Sequence, residues 1–461
     1  MIQPPSRTQH HSVAKMDPSL NRTPTSFAVV GGIILDVELA TETPTVTLGT
    51  SNICRKAREG PGGVARNLAE ALGRLVDPRA GGITLISVVG PDAVGRELIT
   101  SLAPPTFSDP AHRDWRSRIH VDVLVAPRGV ASAMYLSLLD GRGELVVGAA
   151  TNMAIFHEFL RPEWAVARVT RALSRPSSSA AVAVDTPQFL VMDGNLPPET
   201  LSALVSAFRN DNDYRRPRTV FDPISTEQAM KCLAPAAALP GSSRRLVIDC
   251  LDMIKPNLTE AVALVTRLHR DGRRSLHSPY LDEGVREACD VQYRGDSEVA
   301  AKAAAVAVVA NASSTVCSLL TLTGIAVVWC TVGKHGVVVG SRSANSATPR
   351  IWWVPAAPLE AGEEIKKVTG AGDTFLAAVL AALHERRDVD PPTRDVLVTA
   401  ATRGVCAAML TLLSADASAI ADSLDREALD RRVARHTATA VAAGRKLHYE
   451  LPPRRLELSK L

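Results

Sequence analysis

Short apolar runs alternate with helical patterns along most of the 461 residues, and this alternation constrains the fold more than any other feature. The main predicted strands are 27–34, 83–89, 189–193, 219–222, 253–255 and 325–331. The main predicted helices, with apolar residues every three or four positions, are 62–75, 198–208, 259–268, 371–385, 394–413 and 426–443. Such an alternation predicts an α/β fold with a mainly parallel sheet that is covered by helices on both faces.

Two stretches, at about 46–60 and 131–149, break this alternation with the pattern of paired strands. We expect them to form a small β lid outside the main sheet. Because exposed strand edges pair readily with other strands, they are also where a homodimer would form.

Polar segments with little periodicity mark the borders and interruptions of the predicted domain, which spans 27–445. We expect a disordered N-terminal tail, a C-terminal tail with an extended and exposed end, and three surface insertions. The tails are 1–26 and 446–461, and the insertions are about 104–116, 175–180 and 271–296.

Composition argues against several classes of protein. The 52 Lys and Arg residues nearly balance the 48 Asp and Glu residues, and only 4% of residues are aromatic, which argues against nucleic-acid binding. Seven cysteines are spread without a CxxC pair, which excludes a zinc ribbon and is typical of reduced intracellular thiols. The uncharged run 303–333 is long enough to cross a membrane, but its polar residues and Gly324 favour a buried helix followed by a strand.

The sequence ends in Ser459-Lys460-Leu461, which matches the peroxisomal address that an import receptor reads. We therefore expect import into peroxisomes or a related organelle such as the glycosome. The alternative is an incidental polar tail on a cytoplasmic protein.

The segment Thr369-Gly370-Ala371-Gly372-Asp373 carries the strongest chemical signal. Its two glycines allow a tight turn with N–H groups aimed into one space, and the following helix adds the partial positive charge of its N-terminus. Such a turn can seat a phosphate group, and Asp373 beside it can accept the proton of an attacking hydroxyl. A plain turn in which Asp373 only caps the helix is the alternative.

A second cluster follows the predicted strand that ends at Lys255. Asn257 and Glu260 are three residues apart and share one helical face, so they can hold metal-bound water near nucleotide phosphates. The alternative is a capping arrangement at the start of a helix.

Two further clusters suit a sugar. Gly62 and Gly63 open a predicted helix and allow close approach of a ligand, while Asn67 offers a donor and an acceptor to hydroxyl groups. Asp36 follows the first predicted strand, at the edge where α/β sheets bind ligands, and can hold two vicinal hydroxyls.

In this order, the segments resemble the ribokinase or PfkB-type carbohydrate kinases, from about residue 27 to 443. The resemblance implies a three-layer ribokinase-like fold with a β lid. Within the family, several segments resemble the pseudouridine kinase subgroup, namely 31–36, 51–52, 61–70, 135–144, 193–196 and 221–225.

The resemblance also implies roles. Asp373 would be the catalytic base for the 5′-hydroxyl of a nucleoside, with Gly370, Ala371 and Gly372 as the anion hole. Substrate binding would involve Asp36, Gly62, Gly63, Asn67, Asn195 and, near the base, Asn152. ATP binding would involve Lys255, Asn257, Thr331, Gly333, Gly336 and Thr369. Asn257 and Glu260 would arrange Mg²⁺ through water.

Three residues depart from the family pattern. Ile34 stands where sugar kinases usually have Asn, so one hydroxyl contact differs. Asn152 stands where the subgroup often has Asp, which leaves recognition of the base open. K⁺ is a common activator of such kinases, but Lys367 replaces an Asp near the cation site, which leaves K⁺ dependence open.

The sequence therefore favours a kinase that uses ATP and Mg²⁺ to phosphorylate pseudouridine at its 5′-hydroxyl. Another sugar or nucleoside kinase, similar to ribokinase or adenosine kinase, is the alternative. A non-catalytic nucleoside-binding protein is a further hypothesis, which the joint presence of Asp373, Asn257 and Glu260 disfavours.

Overall fold

The computed structural model describes residues 25–43, 45–47, 49–79, 81–104, 115–141, 145–174, 188–209, 216–236, 245–273, 298–342, 348–386, 392–416, 419–443 and 446–451. The strands are β1 (Thr25–Val30), β2 (Ile34–Thr41), β3 (Cys54–Gly62), β4 (Gly82–Val89), β5 (Ile119–Val125), β6 (Met134–Leu139), β7 (Leu145–Thr151), β8 (Phe189–Asp193), β9 (Arg218–Asp222), β10 (Met253–Ile254), β11 (Val327–Thr331), β12 (Val337–Ser341), β13 (Arg350–Val354) and β14 (Tyr449–Leu451).

The α-helices are α1 (Val64–Leu75), α2 (Ala93–Thr100), α3 (Ala154–Phe159), α4 (Pro162–Leu173), α5 (Pro198–Phe208), α6 (Thr226–Ala229), α7 (Leu258–Arg270), α8 (Glu298–Leu322), α9 (Ala371–Glu385), α10 (Arg394–Leu413) and α11 (Arg426–Ala442). Short 3₁₀ turns lie at Trp115–Arg118, Met230–Leu233, Val247–Cys250 and Gly333–His335.

Ten of the described strands form one large sheet in the order β14-β13-β12-β11-β10-β9-β8-β1-β4-β5. Neighbouring strands from β5 to β11 are parallel, whereas β12, β13 and β14 are added antiparallel at one edge. The mainly parallel sheet predicted from the alternation of elements is confirmed.

Helices cover both faces of this sheet, because successive side chains of a strand point to opposite faces and both faces are apolar. In β1, Phe27 and Val29 pack on one side, while Ala28 and Val30 pack on the other. One core contains apolar residues of α1, α9 and α10, and the other contains those of α4, α5, α7 and α8. The result is a three-layer α/β structure.

A separate four-stranded sheet has the order β3-β2-β6-β7. The sequence predicted a paired-strand lid at about 46–60 and 131–149, and paired strands are present, but the first of them is β2 at 34–41. The expected single strand 27–34 is in fact two strands, since the chain turns at Gly31 and Gly32 after β1. Asp36 accordingly lies within β2 and not at the end of a strand of the large sheet.

The domain borders also differ from expectation. Thr25 and Ser26 belong to β1, and Tyr449–Leu451 pairs with β13, so residues assigned to both tails extend the large sheet. Residues 1–24 and 452–461, including Ser459-Lys460-Leu461, lie outside the described residues, as does most of the three predicted insertions. The organelle import stays a prediction.

Among the described residues, two helices are long and apolar enough to cross a membrane, at 304–322 within α8 and at 394–413 in α10. Half or more of each is buried inside the protein, where α8 packs against β12 and α10 packs against α9. The buried helix followed by a strand that was predicted around Gly324 is the arrangement found.

Candidate active site

Adjacent strands of the large sheet bring charged side chains to its carboxyl edge. β8 ends at Asp193 and β9 ends at Asp222, and these two residues are partners in the parallel register. Lys255 follows β10, and its N–H donates to the carbonyl of Phe221 at 3.0 Å. The Nζ of Lys255 lies 3.0 Å from Oδ2 of Asp222, and both side chains are buried. The strand register therefore creates a buried ammonium–carboxylate pair.

The glycine turn precedes α9, as the sequence predicted. Gly370 has a φ of 82°, in the left-handed region, and a side chain there would collide with the carbonyl oxygen of Ala419. The N–H and the hydroxyl of Thr374 both donate to the Gly370 carbonyl at 2.9 Å. Because the first N–H groups of a helix have no partner within it, this fixed turn can bind an anion at residues 371–373.

Lys255 lies beside this turn. A Cβ placed on Gly372 would lie 3.2 Å from the Nζ of Lys255, so the glycine leaves room for the ammonium group. The N-terminus of α9 and the ammonium group of Lys255 thus lie side by side, and both favour a negatively charged ligand. A phosphoryl group is the kind of ligand that this arrangement suits.

Asp373 lies in the first turn of α9 with its side chain buried. The Nδ2 of Asn67 donates to Oδ2 of Asp373 at 2.8 Å. Burial raises the pKa of Asp373 to about 7, and the nearby Asp222 adds to the rise. Lys255 and the hydrogen bond from Asn67 act in the opposite direction. A carboxyl group with a pKa near neutrality is suited to take up a proton from a hydroxyl.

The start of α1 forms the wall opposite this turn. Gly63 has a φ of 90°, and a side chain there would meet the carbonyl of Gly32. The sequence predicted that this helix begins at Gly62. In the structure Gly62 is the last residue of β3, Gly63 is the N-cap, and α1 begins at Val64. Asn67 points from α1 towards Asp373, and its role as a substrate ligand stays a prediction.

Asp193 is hydrogen-bonded to the first turn of α1 and to two loops near it. Its carboxylate accepts hydrogen bonds from the N–H groups of Gly32 at 2.8 Å, Ala65 at 3.1 Å and Asn195 at 2.9 Å, and from Nδ2 of Asn195 at 3.3 Å. Burial raises the pKa of Asp193 to about 6, against these hydrogen bonds. Asn195, a predicted ribose ligand, is therefore held next to Gly32.

The smaller sheet contributes Asp36. Within the sheet it lies opposite Gly60 on β3 and Tyr135 on β6, and its carboxylate fills the space that a side chain on Gly62 would need. Burial raises the pKa of Asp36 to about 7, and the charge of Asp373 adds to the rise. The two carboxyl groups therefore face one common space, Asp36 from the smaller sheet and Asp373 from the first turn of α9.

Asn257 and Glu260 form the capping box that was the alternative interpretation of this motif. The N–H and Nδ2 of Asn257 donate to the two carboxylate oxygens of Glu260 at 2.9 and 2.8 Å, and the N–H of Glu260 donates back to Oδ1 of Asn257 at 2.9 Å. Both Glu260 oxygens thus have a protein partner. A metal ion at this pair would therefore be held through water and not by displacing the cap, and this metal site stays a prediction.

A buried oxygen nearby adds to the donor set. Oδ2 of Asp222 has no aligned hydrogen-bond partner among the described residues, although Lys255 lies 3.0 Å away. Burial raises the pKa of Asp222, while Lys255 lowers it. No group of three or more His, Cys, Asp and Glu side chains among the described residues is arranged as a protein-only metal site. The oxygens of Glu260 and Asp222 fit a Mg²⁺ ion that arrives bound to phosphate and keeps much of its water.

The remaining predicted nucleotide ligands lie at the same edge of the sheet. Thr331 ends β11, and its N–H donates to the carbonyl of Pro256, which places it beside Asn257. Gly333 and Gly336, with φ of 55° and 94°, shape the turn after β11. Thr369, immediately before Gly370, is exposed.

Asn152 is placed differently from the other predicted ligands. It follows β7 with a φ of 58°, and its Nδ2 donates to the carbonyl of Ser132 at 3.0 Å. Its side chain is exposed, and no contact in the described part of the chain joins it to Asp373 or Asn67. Asn152 therefore lies directly after β7 of the smaller sheet, and no contact with the buried charged residues is observed for it in the described part of the chain.

The sequence analysis included Asp193, Asp222 and Arg66 within segments that resemble the family, but it assigned none of them a role in the site. The first two could have been found by the argument applied to Asp36, since each is the last residue of a strand in the predicted parallel sheet. Arg66 has no such signal, because an Arg in an amphipathic helix normally faces solvent.

No protein-family model and no curated protein sequence matches the chain. Solved structures do match. A ribokinase from Giardia lamblia superposes with a TM-score of 0.57 at 16% identity, covering 90% of this chain and 99% of that one. A carbohydrate kinase from Agrobacterium tumefaciens gives 0.52 at 21% identity, covering 89% and 97%. Phosphofructokinase-2 from Escherichia coli in complex with potassium gives 0.52 at 18% identity, covering 90% and 99%. The ribokinase-like α/β fold is thereby confirmed.

Proposed function

We propose that this protein is an ATP-dependent kinase of the ribokinase or PfkB type, and that its acceptor is the 5′-hydroxyl of pseudouridine. The observation that carries the proposal is the buried carboxyl of Asp373, with a pKa of about 7, in the first turn of a helix that opens with Gly370. The Nζ of Lys255 is next to Gly372, so a base and an anion site share one space.

The arrangement supports phosphoryl transfer in the following way. Asp373 accepts the proton of the acceptor hydroxyl, the hydroxyl oxygen attacks the γ-phosphorus of ATP, and the bond to the β–γ bridging oxygen breaks to release ADP. The N–H groups at the start of α9 and the ammonium of Lys255 stabilise the charge on the transferred group. Positioning and charge stabilisation supply most of the catalysis in such reactions.

The nucleotide would bind along the carboxyl edge of the sheet, from Lys255 to the turn at Gly333 and Gly336. Asn257, Glu260 and Asp222 would hold Mg²⁺ through its water shell, and Mg²⁺ would neutralise phosphate charge. The acceptor would bind between α1 and the smaller sheet, with Asp36 and Asn67 as hydroxyl ligands.

A second candidate is a kinase for ribose or another sugar. The matched structures include a ribokinase of Arabidopsis thaliana described as complexed with ribose and ATP, which aligns at 15% identity with a TM-score of 0.54. The contacts of Asp36, Asn67 and Asn195 suit ribose hydroxyls in either case, and only the resemblance of the sequence segments favours pseudouridine.

Steady-state assays with ATP, Mg²⁺ and each of pseudouridine, uridine, ribose and adenosine would decide between the candidates. We expect the highest kcat/KM with pseudouridine and a product phosphorylated at O5′ by ³¹P NMR. A higher kcat/KM with ribose or adenosine would replace the proposed acceptor, while a lack of turnover with all four would reject a kinase for these acceptors.

The Asp373→Asn variant is the control for the chemistry. Because the amide cannot accept the hydroxyl proton, we expect kcat to fall by at least about 100-fold while acceptor binding, followed by calorimetry, changes little. Unchanged turnover would show that Asp373 is not the base.

A further inference from the structure

Helix α1 carries three charged residues at intervals of four: Arg66, Glu70 and Arg74. This spacing places them on one face of the helix. The face is buried, with 2% of Arg66 and 1% of Glu70 exposed to solvent. Charges in such a place require partners, because the loss of hydration is costly.

The three side chains supply these partners to one another. Glu70 forms an ion pair with NH1 of Arg66, and it accepts hydrogen bonds from Nε and NH2 of Arg74 at 3.0 and 2.7 Å. Glu70 is thus bound from two sides. Either arginine could be removed while the other still neutralises the carboxylate.

Arg66 has a second contact that Arg74 does not share. Its NH1 lies 3.3 Å from Oδ1 of Asn67, and the other end of the same amide donates to Asp373. A guanidinium group has donors only, so the amide oxygen is the end of Asn67 that can face Arg66. The Nδ2 group is consequently the end that faces Asp373.

We propose that Arg66 is a positioning residue for the catalytic base: it fixes the amide of Asn67 so that an N–H donor, and not an oxygen, meets the carboxylate of Asp373. This inference rests on the proposed kinase function. With the amide reversed, two oxygen atoms would face each other and the carboxylate would lose its neutral donor.

The hydrogen bond matters because the other groups around Asp373 are charged. They are Asp193 from β8, Asp222 from β9, Lys255 from β10 and, across the site, Asp36 from β2. Asn67 is the side chain for which a direct hydrogen bond to Asp373 is observed. Without this donor, the carboxylate would be less stable as an anion and would keep its proton to higher pH.

The test is a double-mutant cycle on Arg66→Met and Asn67→Ala, with the pKa of Asp373 followed by carboxyl ¹³C NMR in the full-length protein. The Asp373→Asn variant assigns the resonance. We expect Arg66→Met to raise this pKa by about half a unit or more, and to have no further effect when Asn67 is already Ala. Because no turnover is needed, the result stands even if the proposed function fails.

Arg74→Met is the matched control, since it removes the other partner of Glu70 without touching Asn67. Thermal unfolding should reveal destabilisation in both variants, while only Arg66→Met moves the pKa of Asp373. If the proposed reaction occurs, kcat should fall about 10-fold in Arg66→Met with little change in KM for ATP.

The milder Arg66→Lys variant keeps the charge opposite Glu70 but loses the planar fork, so it should move the pKa in the same direction if Arg66→Met does not fold. Two results would overturn the proposal. One is an unchanged pKa in a folded Arg66 variant. The other is the same shift with and without Asn67, which would mean that Arg66 acts through its charge on Asp36.

Discussion

At the scale of single residues, the site depends on carboxyl groups that the protein holds in unfavourable surroundings. Asp36 and Asp373 have pKa values raised to about 7 and Asp193 to about 6, in each case with burial as the largest cause. An unfolded chain would titrate these groups near 3.8. The fold thus keeps groups that favour proton transfer at a cost in stability.

The pH dependence of stability follows from the direction of these shifts. At these three groups the folded protein binds protons more tightly than the unfolded chain, so their contribution to stability decreases as the pH rises from about 4 and levels off above about 7. Asp373→Asn removes one such charge. We therefore expect this variant to be more stable than the wild type at pH 8, by at least about 1 kcal/mol, and no more stable at pH 4.

Urea unfolding at both pH values measures this difference. Asp77→Asn is a suitable control, because Asp77 is a partly exposed carboxylate, 41% accessible, in an ion pair with Arg426. It should not gain stability at pH 8. If the Asp373 substitution changed stability equally at both pH values, folding would not raise the pKa of Asp373, and the prediction would be wrong.

At the scale of elements, local patterns predicted those parts of the fold that are long and periodic. The helices 371–385 and 394–413 have the predicted bounds, because each is a continuous apolar segment between clear breaks. β14 was not predicted, since three residues carry too little pattern and the strand exists only through its pairing with β13. Asp36 was assigned to the wrong sheet, because the three-residue connection between β1 and β2 looks continuous with them in sequence.

The sequence predicted some residues of the candidate site and missed others. The glycine turn and Asp373 were found because they are contiguous in sequence. The buried role of Arg66 and Glu70 depends on α1 packing against α9, which no local pattern reports. Long-range contacts of this kind decide whether a polar residue on a helix faces solvent or a catalytic group.

The segment before α9 leads to a prediction about monovalent cations. Lys366 and Lys367 donate their backbone N–H groups to the carbonyl of Leu412, at the end of α10. Lys367 is buried, and its Nζ lies 3.4 Å from the carbonyl of Asp416. Its ammonium already supplies a positive charge to the loop that lies against Gly370, so we expect kcat/KM to differ less than about twofold between K⁺ and tetramethylammonium buffers.

Lys367→Asp should lower activity and make it depend on K⁺, because the loop then lacks its internal cation. Lys366→Asp is the control, since Lys366 is exposed, and it should retain a cation-independent rate. Strong activation of the wild type by K⁺ would contradict this role of Lys367.

At the scale of the whole molecule, the smaller sheet has one face that the described protein leaves open. Asp36 and Tyr135 are cross-strand partners and share the face towards the site, so the alternating residues lie on the opposite face. That opposite face carries Leu136 on β6 and Val147 on β7, which are 37% and 38% exposed.

Among the described strands, β3 and β7 are the edges of this sheet, and an apolar face on such a sheet is suited to pairing with a second copy of the chain. We expect light scattering after size exclusion to give about twice 49.0 kDa at micromolar concentrations. Leu136→Lys with Val147→Lys should give the monomer, because two ammonium groups would have to be buried at the interface. Val125→Lys, at a residue of the large sheet that is 48% exposed, should leave the dimer intact. A monomeric wild type would contradict the prediction and would mean that this face is exposed to solvent. A dimer that persists in the double variant would place the interface elsewhere.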